Sequence, residues 1–182
     1  MLNGSSLTIL YTFCSEEFCT DGAWPLAGLI RDAQGNLFGT TSQGGEVQCM
    51  LYTGCGVLFR LAPNGARSQR HALYDYSILH TFCEQDPGDC PDGAAPQSRL
   101  AMDASGNLFG TAIVGGAHSW GVAFELSNGS EQVLYNFCSV GGQSCTDGVV
   151  PWDFVRDGSG KLFGWTSGDD GHGSGTIYEL SP

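Results

Sequence analysis

One octet constrains this chain more than any other feature, because it occurs three times: residues 32–39 read DAQGNLFG, 103–110 read DASGNLFG and 157–164 read DGSGKLFG. A glycine beside Asn or Lys lets the backbone take a positive φ between two apolar runs, which predicts a tight hairpin. The flanking runs, 26–30 and 37–40 in the first copy, are short and rich in branched and aromatic residues, as paired strands are. The octet is therefore a repeat marker as well as a turn.

Other segments recur around it in fixed order. Residues 7–13, 77–82 and 132–137 alternate like half-buried strands, and each runs into a cysteine loop followed by Asp-Gly-X-X-Pro at Asp21, Asp92 and Asp147. After the octet come a glycine-rich loop and an apolar strand at 56–61, 121–126 and 175–180. Each repeat thus holds four strands. The repeats, 7–76, 77–131 and 132–182, make one domain over 1–182, with insertions in the first copy. Twenty-eight glycines without a Gly-X-Y period, with 41% apolar and 14% charged residues, fit an all-β globular chain.

The eight cysteines form four close pairs, Cys14 with Cys19, Cys49 with Cys55, Cys83 with Cys90, and Cys138 with Cys145. Local, even pairing points to disulfides and an oxidising compartment. Zinc is the competing reading, but no pair is CxxC and no histidine stands at ligand spacing. The first residues carry no export leader, so a leader removed or missing is expected. A net charge of −12 with a single lysine, Lys161, argues against nucleic acid and anionic membranes. No apolar run reaches the roughly 18 residues that span a bilayer.

Taken together, Phe-Cys, Asp-Gly-X-X-Pro, Asp-X-X-Gly-Asn-Leu-Phe-Gly-Thr, Gly-Gly and Gly-Val-X-Phe-Glu-Leu resemble the GloVer-type tandem repeat over nearly the whole chain. That resemblance implies an exported bacterial protein, often anchored at the cell surface, and speaks to location more than to activity. The segment Pro-X-X-X-Leu-X-X-Asp-X-X-Gly-Asn-Leu-Phe is also similar to the first hairpin of NHL-type propeller blades. The third copy departs from the pattern at Lys161 and Trp165, and the first has Arg60 where the others have Glu125 and Glu179.

Four-stranded repeats predict a β-propeller-like fold of three blades. The chain opens on an outermost-strand sequence (7–13) and closes on a third-strand sequence (175–180), a permuted arrangement in which the N-terminal strand completes a blade. Three blades are too few to close a ring. A homo-oligomer, two half-rings exchanging residues 7–13, is the expected solution, while a β-trefoil or other three-fold β fold is the alternative.

Strand parity puts the cysteine loops and the glycine-rich loops on one face. There Trp24, Trp120, Trp152 and Trp165, with Asp21, Asp92, Asp147 and His118, are the candidate ligand residues, since indole rings stack on sugars and carboxylates accept hydroxyl hydrogen bonds. Packing and turn capping are the competing roles for the same side chains. Asp169 and Asp170 are calcium candidates in a Gly-rich loop that lacks EF-hand spacing, and no other cofactor is expected. Asp169, His172, Glu125 and Glu179 are the candidate catalytic groups, although Glu125 and Glu179 are symmetric copies, and an acid and a base need different environments. The expected function is an extracellular or cell-surface module for a glycan or other surface ligand. A secreted hydrolase of glycans or esters and a fibre or sheath subunit are the alternatives.

Overall fold

The computed structural model describes residues 6–46, 54–65, 73–168 and 174–182. Each octet forms the hairpin turn expected of it. The Asp103 carboxylate accepts the backbone N–H groups of Ser105 (2.8 Å) and Asn107 (2.9 Å) and the Asn107 side-chain amide (2.9 Å), while Gly106 turns the chain at φ +87°. Asp32 and Asp157 accept the backbone N–H groups of Asn36 and Lys161 in the same way. These bonds favour the ionised form and hold all three carboxyls below the usual aspartate range, against the opposing effect of burial.

Twelve strands follow in order: β1 (Ile30–Arg31), β2 (Leu37–Thr41), β3 (Val57–Pro63), β4 (Tyr74–Thr81), β5 (Ala94–Pro96), β6 (Ala101–Met102), β7 (Leu108–Val114), β8 (Val122–Ser127), β9 (Ser130–Asn136), β10 (Val149–Arg156), β11 (Leu162–Gly168) and β12 (Ile177–Leu180). They form three antiparallel meanders, β1-β2-β3-β4, then β5 and β6 sharing β7 with β8 and β9, then β10-β11-β12. The fold is all-β and β-propeller-like.

Two details depart from the four-strand expectation. The first strand of the second sheet is split into β5 and β6, and the third sheet has three strands. Residues 7–13 form no strand. Tyr11 stacks on Tyr76 (4.2 Å), and Phe13 makes an edge contact with Phe59 (4.9 Å).

The sheets are joined by aromatic contacts at one repeat position. Phe82, after β4, meets Phe124 of β8 at 5.1 Å, and Phe137, after β9, meets Tyr178 of β12 at 5.1 Å. The last glycine of the octet makes room for the receiving ring. A Cβ on Gly39, Gly110 or Gly164 would lie 2.8, 2.3 or 2.3 Å from the ring of Phe59, Phe124 or Tyr178 respectively. Phe38, Leu58, Phe82, Leu100, Val122 and Phe124 fill the joint between the first two sheets, and Phe109, Phe154 and Leu162 the next.

The two octet glycines therefore differ in kind. Gly110→Ala is expected to cost about 3 kcal/mol by overpacking. Gly106→Ala, with open space around its Cβ position, is expected to cost about 1 kcal/mol of backbone strain. Urea denaturation of both variants checks the order, and equal losses would contradict the ring-seating role.

Candidate functional site

The corner from the fourth strand of one sheet to the first of the next is built around an aspartate. Asp21 is buried, and its carboxylate accepts the Tyr11 hydroxyl (2.9 Å), the Ser15 backbone N–H (3.0 Å) and the Ser15 hydroxyl (2.8 Å). Asp147 repeats this with the Tyr135 hydroxyl (2.6 Å), the Ser139 N–H (2.8 Å) and the Val140 N–H (3.1 Å). Burial pushes both carboxyls up, but donors to the ionised form outweigh it and hold both below the usual range. Burial and the Asp147 carboxylate push the Tyr135 phenol up to about 12. These aspartates are occupied within their own loops.

The second corner uses different chemistry in the same frame. His80 replaces the tyrosine, with Nε2 at 2.9 Å from Asp92 Oδ2, while Asp92 also accepts the Cys83 N–H. Above the first corner lies Tyr76, opposite Leu61 and donating to the Asp21 carbonyl (2.7 Å). The matching residue above the second corner, opposite Leu126, is Glu131. Its Oε1 is buried without a hydrogen-bond partner. Burial raises its carboxyl to about 7, with the His80 charge opposing and the Asp92 charge adding to the rise. His80, Asp92 and Glu131 are thus a titratable trio where the first corner has Tyr11, Asp21 and Tyr76. Of the three only Asp92 stands in a sequence motif; that His80 and Glu131, 51 positions apart, lie near it is seen only in the folded chain.

The cysteine loops make the same corners. Cys14–Cys19, Cys83–Cys90 and Cys138–Cys145 are disulfides. All six of these residues have positive φ, from 37° to 67°, a conformation that costs an L-residue about 1–2 kcal/mol. The third position after each Asp, Trp24, Ala95 and Val150, is left-handed too. The backbone of the last two is fixed across the joint, Ala95 N–H to the Cys55 carbonyl (2.8 Å) and Val150 N–H to the Trp120 carbonyl (3.0 Å). Cys55 is also disulfide-bonded, while Cys49 lies outside the described residues. The sulfurs of Cys55, Cys83 and Cys90 lie within 4.8 Å of one another. Because all three are in disulfides, they are not the thiolates that bind zinc.

The structure brings two of the four tryptophans together. Trp152 and Trp165 lie nearly parallel (11°) with ring centres 6.1 Å apart, and the Trp120 backbone carbonyl accepts the Val150 N–H, two residues before Trp152. Trp120 and Trp165 are exposed, as are His118 and Asp153 nearby in the chain. Trp24 stands apart, exposed beside a shallow cavity of about 170 Å³ that it lines with Leu26, Ser42, Gln43, Ala95 and Gln97. Glu125 and Glu179 sit at equivalent places in separate sheets, and Glu179 is ion-paired with Lys161. Asp169, Asp170 and His172 lie outside the described residues. Among the described residues no helix is long and apolar enough to cross a membrane.

A family model described as the Gloeobacter/Verrucomicrobia repeat matches residues 1–178. A comparison with curated proteins returned no match. Among solved structures, the chain is similar to one described as a putative gluconolactonase (18% identity, TM-score 0.41, covering 85% of this chain and 47% of that one). It is also similar to a gluconolactonase from Xanthomonas campestris (21% identity, TM-score 0.41, 85% and 46%). The chain spans about half the length of these structures.

Glu131 gives stability a definite pH dependence. With its folded pKa raised to about 7 from an ordinary 4.5, the folded chain holds a proton that the unfolded chain releases. The contribution is full below the ordinary value and is lost as pH rises through about 7. Urea midpoints of Glu131→Gln, compared with those of the parent, are expected to lack this decline. Parallel pH profiles would contradict the assignment.

Proposed function

The chain belongs to the Gloeobacter/Verrucomicrobia repeat family, and from that premise we propose that it is an extracellular or cell-surface binding module for a neutral saccharide. The observation that carries this reading is the Trp152–Trp165 stack, with the exposed Trp120 bonded through its backbone carbonyl to Val150. Parallel and partly exposed indoles offer flat apolar faces of the kind that sugar rings cover. The Asp153 side chain, paired across the strand with Trp165, supplies a nearby carboxylate acceptor for a hydroxyl. Three disulfides support an oxidising location, and the acidic surface disfavours anionic ligands.

The test is tryptophan fluorescence and calorimetry with neutral oligosaccharides, with and without calcium. Trp152→Ala and Trp120→Ala are expected to weaken binding roughly tenfold each. A neutral-glycan array silent at every calcium level would overturn the reading.

A second reading, hydrolysis of a glycan or ester, has the His80–Asp92–Glu131 trio in its favour, because an imidazole bonded to one carboxylate and near a second can move a proton. Chromogenic esters and glycosides test it. Turnover should disappear in a folded His80→Gln variant, and turnover that survives this substitution excludes the trio.

A further inference from the structure

Among the described residues the joint between sheets is built twice, and the first and third sheets each present one half of it. On the side of a sheet facing its successor, Leu58 and Ala123 are 0% exposed, whereas Ile177, at the same repeat position, is 83% exposed. Val155 and Trp165 are exposed beside it, while their counterparts Thr40 and Thr111, Ile30 and Ala101 pack into joints. On the side facing the preceding sheet, Leu100 and Phe154 are 2% and 8% exposed, and their counterpart Leu29 is 48% exposed. Pro25 is exposed where Pro96 and Pro151 are buried.

The outer edge repeats the pattern. β4 and β9 run along the outside of β3 and β8, and the Phe82 and Phe137 N–H groups reach the Gly56 (3.1 Å) and Gly121 (3.0 Å) carbonyls. The corresponding edge of β12 carries a cavity of about 320 Å³ lined by Tyr135, Phe137, Asp147, Tyr178 and neighbours. Residues 7–13 match the β4 and β9 sequences position for position, and Leu7 and Ile9 are exposed. Leu7 corresponds to Tyr76 and Glu131, the residues that cover the first two corners.

We propose that a second copy of this chain fills both half-joints, so that two copies close one ring through two equal head-to-tail contacts. Residues 7–13 of each copy become the outer strand of the other's β12. The registers of β3 with β4 and of β8 with β9 set the pairs: Thr176 with Thr12, Ile177 with Tyr11, Tyr178 with Ile9 and Leu180 with Leu7, with the same bulge after the second pair. The new contact continues the two joints already present. Phe13 rests on its own Phe59 as Phe82 rests on Phe124, and Arg31 reaches the partner's Phe163 as Arg156 covers Phe109 (5.2 Å). Charge does not oppose the match, because residues 7–13 carry none and Glu179 is neutralised by Lys161. A second copy is the occupant that fits, because the first and third sheets display complementary halves of the joint, with the register, ring seat and Arg-over-Phe contact of the two joints already formed. Within one copy, Tyr11 and Phe13 are held on the first sheet, and rings of this kind use about four to eight blades.

Light scattering after size exclusion is expected to give twice the chain mass. Ile177→Asp and Leu29→Asp, one on each half-joint, should weaken association by roughly thirtyfold or more and leave the circular dichroism spectrum intact, since both side chains are exposed in the single copy. Thr12→Cys with Thr176→Cys should give a covalent two-copy band on a non-reducing gel. A monomer, unlimited polymer, dimers indifferent to both aspartates, or no cross-link at the stated pair would overturn the proposal. Trp165 lies in this half-joint, so a second copy and a saccharide compete for its exposed face. None of these readouts involves a saccharide; failure here leaves the saccharide reading standing, and failure of saccharide binding leaves the ring standing.

Discussion

Each sheet holds its neighbour by a ring set into the space left by an absent Cβ. Octet glycines Gly39, Gly110 and Gly164 let Phe59, Phe124 and Tyr178 lie down on the adjoining strand, where each receives the phenylalanine that ends the preceding outer segment. The contact is local in sequence terms on one side and belongs to the next repeat on the other. It therefore sets the spacing of the sheets and the path of the corner that follows. Buried aromatic area supplies most of the free energy, and the glycine decides whether that area can be buried at all.

Once the spacing is set, each corner presents the same scaffold with different side chains. Asp21, Asp92 and Asp147 all hold the loop by accepting backbone N–H groups, Asp21 and Asp147 from the residue after the first cysteine and Asp92 from the cysteine itself. The partner above changes from tyrosine to histidine and back, and the covering residue from tyrosine to glutamate. A frame that satisfies its own backbone groups tolerates such exchanges, because the variable residues carry little of the loop's hydrogen bonding. Chemical differences between repeats then gather at the corners and leave the joints alike.

The octet turns, the meander order and three local cysteine bridges were legible because each depends on residues close in sequence. The double role of the octet was not. Gly106 could be read as a turn residue, but the function of Gly110 depends on the ring of Phe124, its register partner on the neighbouring strand. The same limit applied to His80, which stands in no motif and is bonded to Asp92, and to Glu131, which carries no motif either. Residues 7–13 have the composition of a strand, yet a strand needs an edge, and composition does not say whether one is within reach. The sequence groups the four tryptophans on one face, whereas the structure puts Trp24 at a separate cavity and stacks Trp152 on Trp165 beside the bulge in β10 between Pro151 and Asp153.

The cysteine bridges span separations of only 5 or 7 residues, which gives them a role unlike that of cross-links between distant segments. Two thiols so close meet on the timescale of small-loop closure, long before sheets could dock. Oxidation can thus proceed corner by corner, and a wrong partner must compete with one already tethered nearby. What each bridge locks is a pair of left-handed residues that the backbone would otherwise abandon. A reducing environment would loosen the bends while leaving the ladders between strands in place, so the redox state of the surroundings governs how the sheets are aimed at one another more than whether they form.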